Sequence, residues 1–318
     1  MEKKLRTAVL MGGVGGERTV SLKSGRAVAA GLRKAGHHVL PYEVESRSLP
    51  GLKDLRPDAA FIALHGPFGE DGGVQQLLEQ MGIPYTGSGP RASRWGMNKL
   101  VSKRLFIRNS VPVADYFTVT HGESAAQAAA KLEQFGCPVV CKPVSAGSSL
   151  GITIVKSPEQ LPDALEAARE HSDTTLIERH VRGRELTVGV LEGHALPMVE
   201  VISRQGFFDY EAKYDDEHTR YHTPVALLPT VYRRATEAAL RAYRALGCRH
   251  LARVDMIYGH RGQLAVLEVN TIPGFTPRSL LPMAAAEEGV RFEALCDRLV
   301  RAAVRDAAAA ARRRRMTA

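Results

Sequence analysis

LARVDMIYGHRGQLAVLEVN, residues Leu251–Asn270, reads as a β-hairpin. Leu251 to Tyr258 and Leu264 to Val269 are apolar runs of strand length, and the Gly-His-Arg-Gly segment between them is a turn. Side chains two apart on a strand share a face, so Arg253 goes with Asp255 and Glu268 with Asn270. Pairing the two strands brings Asp255, Glu268 and Asn270 together. Two carboxylates and an amide oxygen form a hard oxygen site suited to Mg2+ that bridges nucleotide phosphates. Taken alone, the same pattern also fits two ordinary strands with polar faces.

Working upstream, further groups suit a phosphate ligand. Lys142 ends the apolar strand Val139–Lys142, and Lys99 lies on a helix over Asn98–Ile107. The strand Ile152–Val155 returns as the second arm of a hairpin. Between the arms, Ser148-Ser149-Leu150-Gly151 forms a small loop whose backbone N–H groups can close over phosphates. A helix is expected over Gln160–Glu170 and a strand over Thr175–Glu178. Glu178 and Glu185 flank the region 176–188, where a carboxylate can accept from ribose hydroxyls. Strands at Glu185–Leu191 and Met198–Ile202, a polar aromatic segment Gly206–Thr223 and a helix Thr230–Leu246 lead back to the hairpin.

The first third differs in kind. Strands at Thr7–Met11, His38–Tyr42 and Ala59–Leu64 alternate with helices at Ser21–Ala35, capped by Ser21, and Gly73–Met81. That alternation predicts a parallel sheet. The loops Gly12–Gly16 and His65–Gly73 both follow strands, which puts them on the edge where such sheets bind ligands. The cluster Thr86-Gly87-Ser88-Gly89-Pro90 marks a boundary. Three α/β pieces are expected: 1–88 on the substrate side, 89–182 in the centre, and 183–318 with the metal hairpin.

Composition sets the outer limits. The 318 residues are 44% hydrophobic and 24% charged, ordinary for a globular chain. No apolar run approaches the roughly 18 residues of a membrane span, and Thr7–Met11 is too short for a signal-peptide core, so a cytoplasmic enzyme with no membrane partner is expected. Cys137, Cys141, Cys248 and Cys296 form no C-x-x-C pair and read as reduced packing residues. The net charge of +9 suits an anionic substrate. Arg312–Arg315 reads as a frayed, solvated helix end after Arg301–Ala311, with no nucleic-acid motif beside it. No G-x-x-x-x-G-K-[ST] string occurs, which excludes a P-loop. Gly13-Val14-Gly15-Gly16-Glu17-Arg18 begins like a dinucleotide loop, but Arg18 stands where the third glycine belongs.

Two lysines, a small mobile loop, an acidic hinge and a late metal triad resemble the ATP-grasp superfamily, in which ATP lies between two α+β subdomains. Within it the chain is similar to the D-alanine–D-alanine ligases. The matching strings are Gly12-Gly13 with Glu17-Arg18 and Val20-Ser21, Ala63-Leu64-His65-Gly66 with Gly69-Glu70-Asp71-Gly72, and Pro84 to Gly89. They continue through Met97 and Lys99-Leu100, Lys142-Pro143 with Gly147-Ser148-Ser149, and Tyr210 to Tyr214, ending in Glu268 to Thr271, Pro273 to Thr276 and Ser279-Leu280. Each string is weak; their order and spacing together are specific.

The resemblance implies a three-domain ATP-grasp fold with an N-terminal Rossmann-like parallel sheet, ATP with two Mg2+ or Mn2+ ions, two molecules of D-alanine, and a homodimer. It also implies roles. Lys99 and Lys142 would contact ATP phosphates, and Lys213 would reach the γ-phosphate from a closing loop. Glu178, Glu185 and Phe207 would meet adenine and ribose; Asp255, Glu268 and Asn270 would hold metal. Glu17 would pair with the ammonium of the first D-alanine, with His65 nearby. Arg253 and the Gly274 N–H would stabilise the oxygen of the tetrahedral intermediate, and Ser279 with Leu280 would receive the second carboxylate. A Glu17–Ser148–Tyr214 hydrogen-bond chain would lock the loop and exclude water. The reaction implied is ligation through D-alanyl phosphate. The Lys213-Tyr214 pair favours D-alanine over D-lactate or D-serine as second substrate. A different ATP-grasp ligase and a non-catalytic nucleotide sensor are the rival readings.

Overall fold

The computed structural model describes residues 3–147, 150–203 and 219–317. Its first sheet is parallel, as the alternation predicts: β1 (Arg6–Gly12) lies between β2 (His38–Val44) and β3 (Ala59–Ile62). β1 and β3 bury nearly every side chain, because helices cover both faces. Val9, Met11 and Phe61 face α1 (Arg18–Lys34), while Ala8, Leu10 and Ile62 face α2 (Gly73–Met81).

One expectation here is corrected. α1 starts at Arg18, out of the glycine loop, and Ser21 lies inside it rather than capping it. The buried Ser21 hydroxyl accepts from the Gly12 N–H at 2.9 Å and donates to the Ala63 carbonyl at 2.7 Å. It therefore ties together the two loops that leave β1 and β3. A short hydroxyl side chain bonds nearby backbone as readily within a helix as at its cap.

The central sheet is antiparallel, in the order β4 (Tyr116–Thr120), β7 (Thr174–Arg179), β5 (Val139–Pro143), β6 (Thr153–Val155). Val139, Cys141 and Ile177 pack under α5 (Ala125–Phe135) and α6 (Leu161–Arg169). The alternate residues, among them Lys142 and Glu178, point to the other face.

The third sheet runs β11 (Thr219–His222), β10 (Val199–Ser203), β8 (Gly183–Leu191), β12 (Leu251–Gly259), β13 (Leu264–Asn270), with β9 (His194–Ala195) beside β8. Leu186, Val188, Ala252, Val254 and Met256 bury against α7 (Pro229–Leu246). Arg253 and Asp255 fall on the opposite face by alternation. α3 (Pro90–Met97) and α4 (Lys99–Arg108) precede β4, and Asn98 caps α4 by accepting from the Val101 N–H at 2.9 Å. α8 (Leu280–Glu287) and α9 (Phe292–Thr317) close the chain.

Packing crosses the boundaries drawn at 88 and 182. Phe106 of α4 joins the core under the third sheet. Leu295, Leu299 and Val300 of α9 join the core of the first. α9 also runs on through Thr317, so the helix continues into the basic tail. No helix among the described residues is long and apolar enough to cross a membrane.

The boundary segment is pinned. The Gly87 N–H donates to His250 Nδ1 at 3.1 Å, and His250 Nε2 meets Asp306 Oδ2 of α9 at 3.0 Å. Arg249 Nε donates to the Gly87 carbonyl at 2.8 Å. Burial, and then the Arg249 charge, hold the His250 pKa below its ordinary value despite Asp306. A neutral ring suits the geometry, since Nδ1 must accept. The folded value lies below the unfolded one, so this stability is complete above about pH 6.5 and is lost as pH falls through the folded value. Thermal melts between about pH 7.5 and 5.5 should show Tm falling with acid, and His250→Gln should flatten that fall. An unchanged pH slope in the variant would sink this account.

Candidate active site

A cavity of about 550 Å3 opens among the start of α1, the His65 loop, the α3–α4 junction, the β12–β13 hairpin and the loop before α8. Glu17, His65, Lys99, Arg253, Glu268 and Asn270 line it, with Gly274, Ser279 and Leu280 on the far wall. Residues far apart in sequence thus converge on one space.

Glu17 stands immediately before α1. Gly66 has φ +71°, and a Cβ there would sit 2.6 Å from Glu17 Oε2. Only glycine allows the loop to come so near the carboxylate. The corresponding point on Gly147 is 4.0 Å from the same oxygen, so Glu17 lies between the His65 loop and the loop after β5. His65 is buried, with Nε2 3.2 Å from Ser24 Oγ and Nδ1 3.8 Å from Glu70 Oε1. Burial raises the Glu70 carboxyl above the usual range, against the lowering effect of His65. The sequence assigned Glu70 no role, although it sits inside the Gly69-Glu70-Asp71-Gly72 string.

The hairpin register is the one alternation requires: Arg253 faces Asn270 and Asp255 faces Glu268, with an irregularity after Asp255. The triad is therefore brought together, and its carboxylates already hold cations. Arg253 Nε and Nη2 donate to Asp255 Oδ1 and Oδ2 at 2.8 and 2.7 Å, a bidentate fork. Lys99 Nζ lies 3.4 Å from Glu268 Oε2 and donates to the Ala146 carbonyl at 2.5 Å. Asn270 Oδ1 accepts from the Ile272 N–H at 3.0 Å, which leaves it a second lone pair. Two carboxylates that attract cations, beside an amide oxygen, are a donor set that fits Mg2+ or Mn2+. Among the described residues no cluster of three or more His, Cys, Asp or Glu side chains offers another metal site.

A second group lies outside the cavity lining. Lys142 Nζ is 2.5 Å from Glu178 Oε2, and Lys103 of α4 pairs with Glu178 Oε1. Burial pushes the Glu178 carboxyl up, but Lys142 and Lys103 together outweigh it and hold the group below the usual range. Lys103 escaped the sequence reading; its signal was a position one helical turn after Lys99. Glu185 is half-buried on β8, on the same sheet face as Thr187 and Asp255. Ser148, Phe207, Lys213 and Tyr214 lie outside the described residues, and with them two members of the Glu17–Ser148–Tyr214 chain.

On the far wall, Ser279 Oγ accepts from the Thr276 N–H and meets Thr276 Oγ1, each at 3.0 Å. Leu280 opens α8, whose first N–H groups have no partner within the helix and favour an anion. A Cβ on Gly274 would sit 3.4 Å from Ser279 Oγ, so glycine keeps the approach to that hydroxyl clear.

Comparison with known proteins bears on this arrangement. The family model described as D-ala D-ala ligase C-terminus matches residues 105–301, and the corresponding N-terminus model matches residues 47–88. The D-alanine–D-alanine ligase of Geobacter sulfurreducens is 45% identical over 301 residues, covering 94% of either chain. The chain belongs to the D-alanine–D-alanine ligase family. This ligase also superposes on the Bacillus anthracis D-alanine–D-alanine ligase complexed with ATP, with a TM-score of 0.84 at 33% identity over 95% of this chain and 98% of that one. A D-Ala:D-Ser ligase from Enterococcus faecalis gives 0.83 at 29% identity, covering 94% and 99%. The ligase has the expected ATP-grasp architecture, mixed α/β with one parallel and two antiparallel sheets.

Proposed function

We propose that the cavity is where this ligase joins two D-alanines at the expense of ATP, making the dipeptide used in peptidoglycan precursors. The observation that carries the reading is the convergence of Glu17, Arg253 and Ser279, three groups suited to an ammonium, a developing oxyanion and a carboxylate, on one space. Glu17 holds the ammonium of the first D-alanine, whose carboxylate attacks the γ-phosphorus of ATP as ADP leaves. Lys99 and Lys142 contact the phosphates. Glu178 and Glu185 serve the nucleoside end. Asp255, Glu268 and Asn270 hold Mg2+ or Mn2+, which supplies charge neutralisation at the phosphates. The amine of the second D-alanine, held through Ser279 and the Leu280 N–H, attacks the acyl phosphate. Arg253 and the Gly274 N–H stabilise the resulting oxyanion, and phosphate departs. The enzyme works in the cytoplasm as a homodimer.

The superposition on a D-Ala:D-Ser ligase keeps D-serine as the second reading for the acceptor. ADP and phosphate release, measured with D-alanine alone and then with D-serine or D-lactate as acceptor, separates the two. Release should depend on D-alanine and vanish with L-alanine. Equal rates with D-lactate at neutral pH would overturn D-alanine as acceptor.

A further inference from the structure

We infer that Lys103 is a positioning residue for the nucleotide: it stays on Glu178 so that Lys142 can leave that carboxylate for the phosphates of ATP. This rests on the reading of Lys142 as a phosphate-contacting lysine.

The arrangement starts with one short helix. Lys99 and Lys103 are four apart on α4 and therefore share a face. Lys99 meets Glu268 of the third sheet, and Lys103 meets Glu178 of the central sheet. The helix thus sends one ammonium to each of the two sheets that flank the site. Lys103 and Glu178 are each only 2% exposed. The Lys103 ammonium lies 5.4 Å from the centre of the Tyr116 ring, and the residue lines no part of the cavity. Buried with Glu178 and paired with it, Lys103 is placed to act on that carboxylate.

Counting charge in this buried trio explains why a second lysine is there. Lys142 and Glu178 alone would already be a neutral pair. With Lys103 the three side chains carry one positive charge in excess, only partly answered by the exposed Asp115 carboxylate near Lys103, and burying an ammonium is unfavourable unless something requires it. The requirement appears when Lys142 turns away. With Lys103 present, the carboxylate left behind still has its counter-ion, and a neutral buried pair remains. Without Lys103, each departure of Lys142 would strand a lone carboxylate in a nearly dry setting, and Glu178 would hold Lys142 back. Two oxygens, each with its own ammonium, allow one partner to be exchanged without unpairing the acid.

The test is ATP affinity, measured by calorimetric titration of the full chain in Mg2+, beside steady-state kinetics. Lys103→Met should weaken ATP binding and raise the KM for ATP at least about tenfold. Its kcat at saturating ATP should stay within about threefold, and its KM for D-alanine should not move. In an Glu178→Gln background the same change should alter ATP affinity by no more than about twofold, because the charge through which Lys103 acts is gone. That second comparison stands even where Lys103→Met alone folds poorly, since the double variant removes Lys103 together with the carboxylate it pairs with and leaves Lys142 as the one remaining charge of the trio. Equal loss of ATP affinity in both backgrounds would overturn the inference. So would unchanged affinity in folded Lys103→Met while Lys142→Met is weakened. If Lys142→Met binds ATP as wild type does, the phosphate role of Lys142 falls first, and the inference with it.

Discussion

Arg253→Ala should lower kcat for D-alanine-dependent ADP release by roughly 100- to 1,000-fold, the range seen when a fixed donor to a developing oxyanion is removed. The residue sits on the polar face of β12, lines the cavity and holds Asp255 through a two-point fork. Two consequences of its loss can be told apart. If its main task were to orient Asp255 for metal, the Mg2+ concentration giving half-maximal rate would rise. If it serves the tetrahedral oxyanion, that concentration should not rise, because Asp255 loses a competing cation. Acyl phosphate should still form and be captured by hydroxylamine, while dipeptide formation fails. Retention of more than about a tenth of wild-type kcat would remove Arg253 from the chemistry.

If Glu268 and Asp255 hold the metal as proposed, Glu268→Gln should reduce activity about 100-fold and raise the Mg2+ requirement at least about tenfold, since a hard divalent ion would lose one of two charged ligands. The change also removes the acidic neighbour of Lys99 at 3.4 Å, leaving that ammonium with the Ala146 carbonyl. Glu268→Asp separates these effects: it keeps the charge but shortens the reach, so added Mn2+ should recover part of its activity and none of the glutamine variant's. A wild-type metal dependence in Glu268→Gln would take this carboxylate out of the ligand set.

The hairpin was legible because strand alternation is rigid. Once Leu251–Tyr258 and Leu264–Val269 pair, Asp255 and Glu268 have little freedom but to face each other. The parallel first sheet was legible from its strands alternating with helices, the pattern of a parallel sheet. Other parts gave weaker signals. β4, YFTVT, is half-buried along most of its length and shows no alternation. α5 was passed over in the sequence, although a reciprocal Ser124–Gln127 capping box opens it. α3 opens at Pro90, inside the cluster that reads as a boundary. In the site, Glu17 and Arg253 stood within recognisable strings, whereas for Lys103 the helical spacing from Lys99 marks only a shared face, and its partner comes from a contact between α4 and β7 distant in sequence. Ser21 misled because hydroxyl residues near a helix start usually cap it, and here the bond goes to two loops instead.

The placement of α9 over the first sheet has a consequence for how the chain is made. Val9, Phe61, Val28 and Leu32 are synthesised well before the Leu295, Leu299 and Val300 side chains that cover them. Until α9 follows, the first sheet carries an uncovered apolar surface, the state in which nascent chains are prone to associate or to need chaperones. The first sheet is therefore not finished until α9 has been synthesised.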